Sequence, residues 1–234
     1  MNEAASVSVL YVEDDETIAY LTKDYLILKG YRIEHARDGI SAFELFLHKK
    51  FQLCIIDIML PEMDGWTLAK KIREIDVSVP ILFLSAKSQV DDKIKGLSLG
   101  ADDYITKPFS VEELVLRMEV FLKRSKTNET PSENLVHIGK LIIDFSNQLL
   151  MFEGKKTEMT RRESELLRYL IERSDCLVKR EEILKEVWGD DNYFLGRSLD
   201  VFISRLRNLL AYEPAIRIDN VHGVGFRLST GSKY

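Results

Sequence analysis

"CIIDIMLPEMDG", residues 54–65, carries an apolar run into a carboxylate, Asp57, and then into a loop that closes on Asp64-Gly65. A short run rich in Ile and bounded by turn residues reads as a strand buried on both faces of a parallel sheet. The flanking sequence repeats the pattern. "VSVLYV" (7–12), "YRIEHA" (31–36), "LCIIDI" (53–58), "PILFLS" (80–85) and "DYIT" (103–106) are all short and rich in Val, Ile, Leu and Tyr. Helical spacing fills the intervals: Ile18, Leu21, Tyr25 and Leu28 ahead of Gly30, then Phe43, Phe46 and Leu47, and later Val111, Leu114, Val115 and Met118. Five βα units predict a doubly wound α/β domain on a five-stranded parallel sheet.

That domain uses about half of the 234 residues, so a second core is expected. A composition 45% hydrophobic and 30% charged, with 12 Gly and 5 Pro, is that of a folded soluble protein. An acidic residue stands where a signal peptide would be basic, and no stretch approaches the roughly 18 uninterrupted apolar residues of a membrane span. Cys54 and Cys176 form neither a disulfide framework nor a CxxC pair. A cytoplasmic location, with no membrane contact, follows. The net charge of −5 is uneven: residues 1–125 hold 16 Lys+Arg against 21 Asp+Glu, whereas 126–234 hold 17 of each.

In a doubly wound sheet, chemistry gathers beyond the carboxyl ends of the strands. The first strand ends in Glu13-Asp14-Asp15, the third in Asp57, the fourth in Ser85, and the fifth runs through Tyr104 into Lys107-Pro108. Clustered carboxylates without His or Cys nearby favour a hard ion such as Mg²⁺, and Lys107 supplies a second positive charge. Such a site suits an anion of several oxygens, as in phosphoryl transfer, with Asp57 as the candidate nucleophile. Each residue also has a structural reading. Asp57 suits a turn or cap, the acidic triplet suits the N-cap and first turn of the next helix, and Tyr104 suits a core. The weight rests on the set falling at one sheet edge.

Taken together, "LYVEDDE", "DIMLPEMDGW", "ILFLSA" and "GADDYITKPF" resemble the receiver domain of two-component response regulators, a flavodoxin-like fold, across the first half of the chain. The resemblance implies that Asp57 accepts a phosphoryl group from a sensor histidine kinase. It implies that Glu13, Asp14, Asp57 and the backbone carbonyl of Met59 bind Mg²⁺, and that Lys107 pairs with the phosphoryl oxygens. Ser85 would move to the phosphoryl group while Tyr104 turns inward, a two-state core biased by a new dianion. The Lys107-Pro108 bond is expected to be cis.

"SKTNETPSE" (125–133) has no large apolar residue and reads as a flexible linker spanning roughly 15–18 Å, which sets domains at 1–124 and 134–234. The second domain opens with strand-like segments turning at Glu153-Gly154. Thr160 and Glu163 form a capping box ahead of Leu166, Leu167, Leu170 and Ile171. "REEILKEVW" (180–188) is a second helix. A third runs from about Arg197 to Leu210, its apolar stripe being Leu199, Ile203, Leu206 and Leu210. Its opposite face shows Arg197, Ser198, Val201, Ser204, Arg205 and Asn208, with Arg207 at the flank, and "VHGVGFRL" suggests a closing hairpin. Three helices and a hairpin suit an α+β winged helix-turn-helix; an ordinary solvated helix face is the alternative.

"MTRRESELLRYL", "VKREEILKEVW", "RSLDVFISRLRNLL" and "NVHGVGFRL" resemble the DNA-binding domain of the OmpR/PhoB subfamily. That resemblance implies promoter DNA as a partner, base contacts from Ser198, Val201 and Arg205, and phosphate contacts from Arg197 and Arg207. Phe202, Ser204, Asn208 and His222, the last at the wing tip, stand where the subfamily often has stronger cations. It also implies a phosphorylation-dependent homodimer through Lys93, Asp102, Asp103, Glu112, Arg117 and Arg124, with Ser98 where an acid is usual. RNA polymerase is a further candidate partner. Two alternatives remain: a haloacid-dehalogenase-like phosphatase, which needs a second Asp where this chain has Met59, and a regulator whose output domain binds protein. No turnover enzyme is expected. Fewer cations predict fewer phosphate contacts, so the salt dependence of DNA binding should be shallower by about 0.9 log units per contact missing, measured by titration across salt concentrations.

Overall fold

The computed structural model describes residues 7–86, 102–123, 134–189 and 193–231, with backbone alone at 86, 123 and 193–198. The chain divides into two compact units, Met1–Thr127 and Asn128–Tyr234. The expected linker, 125–133, lies outside the described residues.

In the first unit, β1 (Ser8–Val12), β2 (Arg32–Ala36), β3 (Leu53–Asp57), β4 (Ile81–Ala86) and β5 (Asp103–Lys107) form one parallel sheet in the order β2-β1-β3-β4-β5. Helices α1 (Glu16–Leu28), α2 (Gly39–His48), α3 (Gly65–Ile75) and α4 (Val111–Lys123) accompany it. All five residues of β3 are buried, as a central strand covered on both faces requires. The order reverses between β1 and β3, and that switch point opens a crevice at the ends of both strands. Asp15 caps α1 by accepting from Thr17 and Ile18 N–H at 2.8 and 2.9 Å, and Asp64 caps α3 by accepting from Thr67 N–H at 2.9 Å. Gly65 is demanded by space: a Cβ there would sit 2.9 Å from Ile58 Cα and collide with the Asp57 carbonyl. The Lys107-Pro108 bond is cis, as expected.

The apolar spacing in α1 misidentifies its buried face. Ala19, Thr22 and Leu26 pack inward, while Leu21 is 60% and Leu28 79% exposed. Both sets keep a helical period, and small Ala19 and Thr22 let the helix approach the sheet. Burial also corrects the expected dimer surface. Asp102 is fully buried, pairing with Arg73 at 2.7 Å and accepting from Ile81 N–H at 2.8 Å, so it secures the start of β4 instead of facing a partner. Asp103 is likewise buried and pairs with Arg117 of the same chain at 3.1 Å. Glu112 is exposed on α4; Lys93, Ser98 and Arg124 lie outside the described residues.

The second unit opens with an antiparallel sheet of β6 (Leu135–Ile138), β7 (Leu141–Asp144), β8 (Leu149–Phe152) and β9 (Lys155–Glu158). The β8–β9 turn uses Glu153 and Gly154, both at positive φ. Helix α5 (Arg161–Ile171) starts on the expected Thr160/Glu163 capping box. Helix α6 begins at Arg180, widens to a π-helix over Leu184–Trp188 and stops at Gly189, φ 78°. Helix α7 runs Tyr193–Leu210, longer at its start than the spacing predicts. Strands β10 (Leu177–Lys179), β11 (Arg217–Val221) and β12 (Gly225–Ser229) close a second antiparallel sheet, β10-β12-β11. Phe202 is fully buried and meets Trp188 edge-on at 5.5 Å, so it belongs to the core and is no vacant cation position on the DNA-facing surface. Among the described residues, no helix is long and apolar enough to cross a membrane.

Asp102→Asn should cost about 3–5 kcal/mol of unfolding free energy, because it strips the anion from a guanidinium that is only 10% exposed. Urea denaturation followed at Trp66 reads this. Lys49→Ala, which opens the solvated pair with Glu34, should change the same quantity by no more than about 1 kcal/mol.

Candidate functional site

The ends of β1, β3 and β5 meet around one ammonium. Lys107 Nζ lies 2.8 and 2.7 Å from the two carboxylate oxygens of Glu13 and donates a further short hydrogen bond to Asp57 Oδ2. The partners come from 94 and 50 residues away, joined only because the parallel sheet brings its strand ends to one edge. Glu13 is fully buried and Asp57 nearly so, whereas Asp14 is exposed. The other Asp57 oxygen, Oδ1, accepts from Met59 N–H at 2.9 Å, which orients the carboxylate along the loop. Glu13 is anchored from behind: its N–H donates to Ala36 O at 3.1 Å, and its carbonyl lies 2.9 Å from His35 Nε2.

Burial, followed by the nearby Asp57 charge, overcomes the pull of Lys107 and lifts the Glu13 carboxyl to about 7. Lys107 titrates above the usual lysine range: burial pulls it down, but hydrogen bonds to Asp57 and Glu13 outweigh that pull. Carboxylate oxygens of Glu13, Asp14 and Asp57 lie within 4.8 Å of one another. A set of oxygen donors alone, at that separation and part-open to solvent, fits a hard divalent cation.

Of the other residues expected here, Ser85 is fully buried and sits one position beyond Leu84, the neighbour of Asp57 in the β3–β4 register. Tyr104 is 7% exposed, its ring already inside, and pairs in register with Phe83. The side chain of Met59 is 60% exposed. Asp15, read with its two neighbours as one acidic triplet, separates from them as the α1 cap.

On α7, Ser204 and Asn208 are exposed and Val201 is half-buried. Arg205 Nε bonds Glu163 Oε1 at 2.8 Å. Arg207 donates from Nε and Nη2 to the Ile218 carbonyl at 2.9 and 2.7 Å. His222 is exposed in the turn between β11 and β12, and the side chains of Arg197 and Ser198 lie outside the described residues. Sequence reasoning missed two clamps on this helix. Arg180 grips Asp200 with two bonds of 2.8 Å, and Glu163, read only as half of a capping box, also holds Arg205. Neither pairing shows in the spacing, since the partners are 20 and 42 residues apart.

Comparison with known proteins gives the same two parts. The response regulator receiver domain family matches residues 9–119, and the transcriptional regulatory protein C-terminal family matches 154–228. The chain is similar to the transcriptional regulatory protein RprY of Bacteroides fragilis, 43% identical over 95% of this chain and 94% of that one. It is 37% identical to the transcriptional regulatory protein TrcR of Mycobacterium tuberculosis, over 97% and 88% of the two chains. Among solved structures it resembles the response regulator DrrB, a Thermotoga maritima OmpR/PhoB homolog, with 28% identity, a TM-score of 0.50, and coverage of 96% and 99%.

A divalent cation entering the carboxylate cluster must displace the Glu13 proton at any pH below about 7. Its apparent affinity should therefore fall about tenfold per unit as pH drops below that value and stay level above it. Calorimetric titration across pH reads this, and Glu13→Gln should flatten the profile while weakening binding throughout.

Proposed function

Because the chain belongs to the response-regulator family, in its OmpR/PhoB branch, we infer that it is a phosphorylation-dependent transcriptional regulator of a two-component system. The observation that carries the reading is the Asp57–Lys107–Glu13 cluster at the switch point of the sheet, in a chain that continues into a winged-helix domain.

The phosphoryl donor is a phosphohistidine of a sensor kinase. A carboxylate oxygen of Asp57 attacks phosphorus, the P–N bond breaks, and its electron pair leaves with the imidazole, which takes up a proton. Asp57 is held for attack by the Met59 N–H and by Lys107. Lys107 carries its charge throughout and can follow the oxygens of the transferred group, since its stem already spans both carboxylates. Glu13, Asp14, Asp57 and the Met59 carbonyl would hold Mg²⁺, which when bound neutralises charge on the phosphoryl oxygens. Ser85, buried beside the site, would bond the new dianion, and the Tyr104 ring, already buried, would pack closer into the space this movement leaves.

The protein is not a turnover phosphatase. A haloacid-dehalogenase-like phosphatase uses a second Asp two residues after the nucleophile as its acid and base, and the Met59 thioether at that position can neither give nor take a proton. The receiver unit then dimerises through the α4 face, where Glu112 and Leu116 are exposed. The C-terminal unit binds promoter DNA with α7 in the major groove, RNA polymerase being the partner such a promoter complex would meet. Work on a promoter places the protein in the cytoplasm, where the buried Cys54 thiol, pushed up to about 12 by desolvation, stays reduced.

Incubation with Mg²⁺ and acetyl phosphate should add one phosphoryl group, read by intact mass, and Asp57→Ala should abolish it. A group retained by the Asp57→Ala protein would overturn the assignment.

A further inference from the structure

The bond between Glu163 and Arg205 ties the DNA-facing helix to the helix behind it. Glu163 is 5% exposed and Arg205 23%. One Glu163 oxygen takes Arg205 Nε at 2.8 Å, and the other takes the Thr160 N–H at 2.7 Å. A carboxylate this deep is tolerated while a cation stays on it. Stripping the cation from a buried pair costs far more than one solvated ion contact returns. Arg205 therefore keeps Glu163 when α7 meets a duplex, and it cannot swing out as a mobile phosphate clamp. Nε is one of five N–H donors on a rigid plane, so anchoring it sets the direction in which the plane points.

We propose that Glu163 is a positioning residue that sets DNA specificity: it holds the Arg205 guanidinium as an oriented fork for the edge of one guanine and withholds it from the phosphate backbone. This rests on the reading of the second unit as a DNA-binding domain. Guanine is the base whose major-groove edge offers the two acceptors a guanidinium fork meets, N7 and O6. The neighbouring groups suit reading more than clamping. Ser204 and Asn208 are exposed and neutral, and Arg207 is committed to the Ile218 carbonyl.

Glu163→Gln separates the two duties of this side chain, because Gln at the same position still accepts the Thr160 N–H in a capping box but gives up the charge that holds Arg205. Thr160→Ala does the reverse, losing the cap and keeping the ion pair. Arg205→Lys keeps a cation on Glu163 and loses the fork. The wild type is first used to enrich duplexes from a random-sequence library. Each protein is then titrated against the enriched duplex, against single-guanine replacements of it, and against mixed-sequence duplex, over a range of KCl. Glu163→Gln should lose discrimination at one guanine by on the order of tenfold. Its affinity for mixed-sequence duplex should rise, with a salt slope steeper by about 0.9 as Arg205 reaches a phosphate. Arg205→Lys should lose the same discrimination with an unchanged slope, and Thr160→Ala should match the wild type in both. Glu163→Gln or Arg205→Lys with wild-type discrimination, or Thr160→Ala behaving as Glu163→Gln does, overturns the proposal. A wild type that enriches no duplex overturns the DNA-binding reading itself.

Discussion

Two buried carboxylates, Glu13 and Asp57, share one ammonium, Lys107 Nζ, and the first unit is built so that they must. Ionised carboxylates this close and this dry repel strongly unless a cation sits between them. The cation arrives from β5, two strands away from Asp57 in the sheet, and can do so only because parallel strands end at one edge. The price of the arrangement shows in Glu13, whose carboxyl is lifted to about 7 by burial even with Lys107 in contact. An arriving divalent cation or phosphoryl group thus enters a site whose charges are provisionally matched. Each redistributes Lys107 between old and new oxygens, and that redistribution is the elementary event from which a change elsewhere can grow.

Several positions in and around the loop after β3 serve that constraint. Asp57 meets Lys107, Met59 N–H orients the free oxygen of Asp57, Asp64 caps α3, and Gly65 lets the start of α3 pass against the Asp57 carbonyl. Of the two aspartates in the quoted stretch, one is chemical and one structural. Asp14 and Asp15 divide in the same way, one open beside the cluster and one capping α1. Type and spacing alone do not separate such neighbours. What separates them is the partner each meets, a neighbouring carboxylate cluster or the first N–H groups of a helix.

That distinction accounts for what was legible in the sequence. The inner strands β1, β3 and β4 are readable because burial on both faces makes a parallel strand almost uniformly apolar, and the carboxylates are readable because they interrupt that uniformity. The Thr160 capping box and the Glu153-Gly154 turn were readable because they are local. The inward face of α1 was not, since Ala19 and Thr22 are chosen for smallness and not for hydropathy. Asp102 and Phe202 are misplaced by their type or family position, because each is buried against a partner distant in sequence, Arg73 and Trp188. For Arg205 the sequence hides only its partner, Glu163.

The second unit handles charge as the first does, with a different result. Four of its arginines are engaged within the unit: Arg162 lies fully buried over the Trp188 ring, Arg180 grips Asp200, Arg205 meets Glu163, and Arg207 holds the β11 backbone at Ile218. Three of these four contacts end on or beside α7, so the helix offered to DNA is fixed by side chains that would otherwise be free to chase phosphates. Pinned cations contribute less to indiscriminate binding, which scales with phosphates neutralised, and lose less conformational freedom when a base edge arrives. A zero net charge in this half of the chain is therefore compatible with sequence-selective binding. The total counts cations, whereas recognition depends on where the fold has already anchored them.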